Sequence, residues 1–403
     1  MKKRIRRTLF GLFVAGIISL TGFLSVVAQS IPDTFTVAQG ERLDLSAMGL
    51  MTSPVSDEDS EQASGHLSAK RYQVTVSLFS IFPVKTVTVT ETEAISVVPC
   101  GTPFGIKLFT DGVMVVGLSE ISTTRGDRCP AAEAGVQIGD ILLELNGEPV
   151  TKTEQVGEVM ARSNGAPVML KILRGETEKT ISVTPVQSEF DGNYRGGIWV
   201  RDSTAGIGII TFYRPETGMF GGLGHGICDA DTGNLMPLGK GEIVPVTICG
   251  VQKGRQGDAG ELKGYFTDDH AVGRLQQNSD AGVYGTMDTI PVTGEAVTTA
   301  RKQEVHTGPA EILTTIEGNT PQRYEAIIES VDLREDKDVK NLVVRITDET
   351  LLQTTGGIVQ GMSGSPIIQN GKIVGAVTHV FINDPTQGYG IYLDWMLSEM
   401  YSF

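Results

Sequence analysis

From Gly192 to Phe403 the sequence is a succession of short β-branched runs cut by glycine, aspartate and asparagine turns. This pattern narrows the possible folds more than any other. The clearest runs are GGIWVRDS, GIGIITFY, EIVPVTICGV, PQRYEAIIESV, NLVVRIT and KIVGAVTHVF. Many short strands with few long helical patterns predict a closed β architecture such as paired barrels. Only the end of the chain, IYLDWMLSEMY, reads as a short terminal helix. No internal repeat interrupts the pattern. At 403 residues the chain has room for two or three domains.

Charge separates the two ends. The formal net charge is −15, and phosphate binding needs concentrated lysine and arginine, so nucleic acid is excluded as a partner. The one basic cluster is Lys2, Lys3, Arg4, Arg6 and Arg7, followed by an uncharged apolar stretch from Thr8 to Ala28. A secretory signal has an apolar core of about 7–15 residues, and a spanning helix needs roughly 20. The stretch predicts a membrane signal-anchor over residues 1–30, with the basic flank inside and everything after Gln29 exported. Cleavage after Ala28 is the alternative. Four cysteines (Cys100, Cys129, Cys228 and Cys249) are too few to build a scaffold and lack metal-ligand spacing, so neither metal nor cofactor is expected.

Residues 31–100 read as a linker and hairpin region. Ser53 to His66 is acidic and polar, as a solvated linker is, and QVTVSLFSIFPVKTVTVT reads as a hairpin interrupted by Pro83. Residues 101–187 have a different logic. GIKLF and VMVVGLSEI lead into PAAEAGVQIGDILLELNGEPV, then a helical TKTEQVGEVMARSNG, then the strands PVMLKIL and KTISVTP. This order resembles a PDZ domain, a module that receives an extended peptide as an added strand. The resemblance implies that Phe104, Gly105 and Ile106 form the loop that takes a peptide carboxylate, with Leu108 on the pairing strand. Such a fold also serves for docking within one chain.

GMSGSP, residues 361–366, is the most informative motif. A serine hydroxyl is a weak nucleophile until a base takes its proton and donors stabilise the oxyanion. In a G-x-S-G-x-P loop of chymotrypsin type those donors are the N–H groups of Ser363 and Gly361, and Ser363 is the nucleophile. Of five histidines, His225 stands in GGLGHGICD, where small neighbours let a substrate backbone approach the ring. Its place ahead of the serine fits the order His, Asp, Ser. His66 lies in the linker, His270 and His306 lack a glycine scaffold, and His379 reads as a packing residue in a strand. For the acid, Asp229, Asp231 and Asp348 all qualify, and pattern alone does not separate them.

Together the basic anchor, the PDZ pattern, GGLGHGICD, RITDETLLQTTGGIVQGMSGSP and GAVTHVFINDPTQGYGIY resemble the stage IV sporulation protein B family, PDZ-containing serine peptidases of endospore-forming bacteria. The resemblance implies a mainly β chain, with a PDZ domain at 101–187 followed by a chymotrypsin-like double β-barrel at 190–403. It maps the catalytic residues onto His225, Asp348 and Ser363, although the Asp-to-Ser separation is shorter than in trypsin-like chains. It also implies the setting, the space between the inner and outer forespore membranes. Family members there cleave themselves and a membrane-bound regulator of the stage IV sporulation protein FA type, which releases pro-sigma-K processing. The competing expectations are a general quality-control protease, which would place its PDZ domain after the protease, and an inert PDZ scaffold.

Overall fold

The computed structural model describes residues 2–56, 70–268, 270–288, 294–334 and 339–401. Helix α1 (Lys2–Ser30) forms from the apolar N-terminal stretch. Among the described residues, no helix is long and apolar enough to cross a membrane.

The region expected to be linker and hairpin is a small sheet with its own core. Strands β1 (Thr34–Ala38), β2 (Leu50–Ser56), β3 (Arg71–Leu78) and β4 (Phe82–Thr92) lie in the order β1-β4-β3-β2. Alternation places Val74, Val76, Val87 and Val89 on one face, packed over Phe35, Val37 and Leu45. The hairpin expected around Pro83 is thus two strands of four. Ser53 to Ser56 belong to β2 rather than to a linker, and the rest of that acidic segment lies outside the described residues.

Strand β5 (Ser96–Pro99) opens the next unit, and β6 (Pro103–Leu118) is the pivot of the molecule. Its first half pairs with Lys240–Gln252 on one side and with Ile198–Arg214 on the other. Those two pairings close a ring that also includes Gly273–Ser279, Gly282–Met287 and Met219–Gly222, giving a six-stranded barrel. The second half of β6 leaves the ring and pairs at Val113 and Met114 with Ile141–Leu145. The PDZ unit therefore grows out of a ribbon made by β6 and Ile198–Arg214. It is inserted within the first barrel, not placed ahead of it. This corrects the expected 101–187 boundary, because residues 103–109 have barrel partners on both edges.

The PDZ unit is built as its motif requires. Asp140 of GDILLELNG is buried and held bidentately by Arg174, at 2.7 Å through both oxygens. Asn146 and Gly147 take positive φ, 52° and 85°, as a tight hairpin turn demands. Helix Thr153–Arg162 buries Val156 and Met160, one turn apart, against the sheet.

The second barrel is closed by six strands, Gly308–Thr314, Gln322–Val331, Leu342–Ile346, Gln387–Tyr392, Lys372–Val380 and Pro366–Gln369. A terminal helix, Leu393–Met400, covers it. Contacts across the two barrels converge on the loop that carries GMSGSP. Thr211 Oγ1 donates to the Gly364 carbonyl at 2.7 Å, and the Leu262 amide donates to Gln360 at 2.8 Å. All four cysteines are free thiols.

Candidate active site

The loop before Ser363 is shaped by glycines. Helix Glu349–Thr355 stops at Gly356, whose φ of 79° ends it in left-handed geometry. Gly361 and Gly364 take φ of 92° and 94° on either side of the serine. A Cβ on Gly364 would lie 2.1 Å from the carbonyl oxygen of Ile209, so only glycine fits there. Ser365 is fully buried and anchors the turn, donating from Oγ to the Met362 carbonyl at 2.6 Å. Among the described residues, neither the Gly361 nor the Ser363 amide is taken by a hydrogen bond within the protein. Both residues are half-buried. Ser363 Oγ itself donates to the carbonyl of Thr378 at 2.7 Å.

His225 follows a strand that ends at Gly222 and two consecutive left-handed residues, Leu223 at φ 64° and Gly224 at φ 70°. A leucine held there costs on the order of 1–2 kcal/mol, and this strained turn is what aims the ring. His225 Nδ1 lies 2.9 Å from the carbonyl of Gly226. A carbonyl only accepts, so Nδ1 carries the proton and Nε2 keeps its lone pair. Burial, the main cause, holds the imidazole below its ordinary value and so in the neutral form, against a smaller opposing push from the Gly226 carbonyl. Ser363, Gly361 and His225 line one cavity of about 480 Å³ between the barrels.

The expected acid is not brought to this pair. Asp348 is the N-cap of helix Glu349–Thr355, with Oδ1 accepting from the Leu351 amide at 2.9 Å. Asp229 and Asp231 are engaged by Arg201. Asp229 is buried, bonds that guanidinium and also accepts from the Thr232 amide at 2.9 Å, while Asp231 lies 2.7 Å from Arg201. Asp229 is spent on a turn, and Asp231 is an exposed partner of Arg201.

His379 is in a strand, as its setting suggested, but exposed rather than packed away. It lines the same cavity, with its ring centroid 4.9 Å from that of His225. Neither it nor Thr378 was singled out for the site, since nothing in AVTHVF marks which barrel strand edges a cleft.

The expected peptide loop is elsewhere. Phe104, Ile106 and Leu108 are buried in the first barrel, and Phe104, Gly105, Ile106 and Leu108 have strand partners on both sides. A strand with both edges paired has no N–H groups left to receive a peptide. The open groove of the PDZ unit, about 810 Å³, instead runs along helix Thr153–Arg162. Val156 and Met160 line its helix side, Ile121 and Trp199 the other.

Two closed β-barrels with a glycine-flanked serine and a neutral histidine on the cleft between them define a serine peptidase of chymotrypsin-like architecture. The SpoIVB peptidase S55 model matches residues 192–397, and a PDZ-domain model matches residues 121–174. The chain belongs to the SpoIVB peptidase S55 family. Among solved structures it is similar to the PDZ domain of the SdrC-like protein from Listeria monocytogenes, at 20% identity over 22% of this chain and 87% of that one, with a TM-score of 0.18. No curated protein matches the chain.

Proposed function

We propose that this serine peptidase is an exported endopeptidase that makes limited, signalling cleavages during sporulation. Its substrates are its own chain and a membrane-bound regulator of the stage IV sporulation protein FA type, in the space between the forespore membranes. The N-terminal segment keeps it at a membrane. The observation that carries the peptidase chemistry is the shared cleft of Ser363 and His225, with the Gly361 and Ser363 amides open to it. The family carries the sporulation setting.

In this reading Ser363 Oγ leaves the Thr378 carbonyl and gives its proton to His225 Nε2 as it attacks the scissile carbonyl. Negative charge on the former carbonyl oxygen is met by the N–H groups of Gly361 and Ser363, a contribution of about 3–4 kcal/mol per donor in such sites. His225 then protonates the leaving amine. An acyl-enzyme forms, and water releases it by the reverse sequence. Asp348 is assigned as the acid on the family resemblance. That role requires its carboxylate to leave the helix cap when substrate is engaged.

A fluorophosphonate probe tests the chemistry: one adduct on the folded chain, absent from Ser363→Ala and His225→Ala, is expected. The absence of any adduct on folded wild type overturns it. Limited cleavage is tested on unfolded casein, where rapid, extensive digestion contradicts a signalling role.

A further inference from the structure

The hairpin joining β3 to β4 ends in an apolar tip that none of the described residues covers. Phe79 and Ile81 are 69% and 71% exposed, and Phe82 beside them is 36% exposed. Met51 on the neighbouring β2, 51% exposed and paired with Ser77, widens the same end of the sheet. From Ser77 to Val84 the sequence, SLFSIFPV, carries no charge. The turn is closed by the Ile81 amide donating to the Leu78 carbonyl at 3.1 Å. Its two central residues, Phe79 and Ser80, both take positive φ, 53° and 59°. Such turns ordinarily use Asn-Gly, because a bulky side chain is strained there. Here the strain presents a phenylalanine to solvent, where it gains no packing to offset it.

The placement of the tip indicates what covers it. Strand β1 runs parallel to β4 with Thr34 opposite Thr88, so the chain ahead of β1 leads back toward the start of β4. Lys85 Nζ holds the Ile31 carbonyl at 2.6 Å and Asp33 at 2.7 Å. One turn earlier, Val27 of α1 packs, partly buried, against the same core as Val84 of β4. Helix α1 thus meets the sheet at the end that carries the tip. Among the side chains it leaves outside there, Phe23 at 54% and Val26 at 66% exposed are large and apolar, and the others, Ser25, Gln29 and Ser30, are polar but uncharged.

We propose that the Phe79–Phe82 tip is a membrane-contact site. It enters the interfacial layer of a phospholipid bilayer beside α1 and fixes how the exported body stands on that surface. Aromatic and aliphatic side chains on an uncharged tip suit the boundary between headgroups and acyl chains. The proposal holds whether α1 spans the bilayer or lies in its interface.

The test uses the full chain with vesicles of phosphatidylcholine and phosphatidylglycerol whose acyl chains are brominated. The added emission of Phe79→Trp, taken against wild type, is expected to shift blue and be quenched. The same indole at Tyr265, exposed on the peptidase body, is expected to remain unquenched. Failure of the chain to float with the vesicles overturns the proposal, as does flotation without quenching at position 79. Equal quenching at both positions overturns it too, since that is non-specific adsorption. Phe79→Ser with Ile81→Ser is expected to leave the thermal transition unchanged, because neither side chain is packed, while weakening vesicle binding.

Discussion

The backbone amide of Ile209 donates to the carbonyl of Ser363 at 3.0 Å, and the carbonyl of the same Ile209 accepts from the amide of Leu223 at 3.2 Å. One residue of the first barrel thus holds both the serine loop, which belongs to the second barrel, and the turn that leads to His225. The spacing of Ser363 and His225, the proposed nucleophile and base, depends on this single strand position.

Gly364 makes the contact possible. Gly364→Ala would bring a Cβ to 2.1 Å from the Ile209 oxygen at a φ of 94°. The expected loss is about 2–4 kcal/mol of stability, together with activity. Gly157→Ala is the control. It sits inside helix Thr153–Arg162 with nothing within 4 Å of the new Cβ, and a helical glycine-to-alanine change stabilises by roughly 0.5–1 kcal/mol. Chemical denaturation of both variants measures the difference. Equal effects would mean that the close approach does not constrain the loop.

As the proposed base, His225 is expected to set the acid side of the pH profile. Burial depresses its pKa below the ordinary imidazole value, about 6.5, and the base works in the neutral form. The expected kcat/KM therefore persists below pH 6.5 and falls only at the depressed value. Stability follows the same group. Between the depressed folded value and about 6.5 the unfolded chain binds a proton that the folded chain does not, so stability falls as pH drops through that window. Against wild type, His225→Asn is expected to show a smaller drop in melting temperature over this range. An equal drop in both proteins would assign the titration to other groups.

The sequence revealed chemistry more readily than topology. GMSGSP and GGLGHG mark the two loops that meet at the cleft, because the left-handed glycines beside Ser363 and His225 are a backbone requirement visible in a few letters. The PDZ insertion was not legible. Residues 103–109 read as a strand whether they pair with a ligand or with two barrel strands, and only the pairing of Phe104 with Gly208 and Pro245 decides. Thr378 and His379 escaped for a related reason: their place at the cleft depends on which strand edge the other barrel leaves open. Asp348 was legible as a carboxylate at a strand end, a description that fits a helix cap as well as a catalytic acid.

Asp348→Asn separates those two roles. Asparagine caps a helix about as well as aspartate, whereas alanine loses about 1 kcal/mol. The melting temperature is therefore expected to hold in Asp348→Asn and to fall in Asp348→Ala. If Asp348 is the acid, Asp348→Asn also loses on the order of 10⁴-fold in kcat despite its intact cap. Wild-type turnover in that variant would leave the cap as its only role.

The strand Ile198–Arg214 gives the PDZ groove a direct line to the Ser363 loop. Trp199 borders the groove, with its Nε1 donating to Ser119 Oγ at 2.9 Å, and Ile209 holds Ser363 ten residues further on. Between them Asp202 accepts from the Thr153 amide at 2.9 Å, which ties the strand to the start of the groove helix. A peptide that adds to this groove must cover Trp199, which is 64% exposed. Binding is expected to shift its emission to the blue, and the change should vanish in Trp199→Phe, since Trp395 lies in the terminal helix away from the groove. Because the strand is continuous, the same peptide is expected to change the rate at which a fluorophosphonate labels Ser363, and Asp202→Ala to weaken that response. A peptide that alters Trp199 emission and leaves the labelling rate untouched would show that the groove only gathers substrate and does not act on the serine.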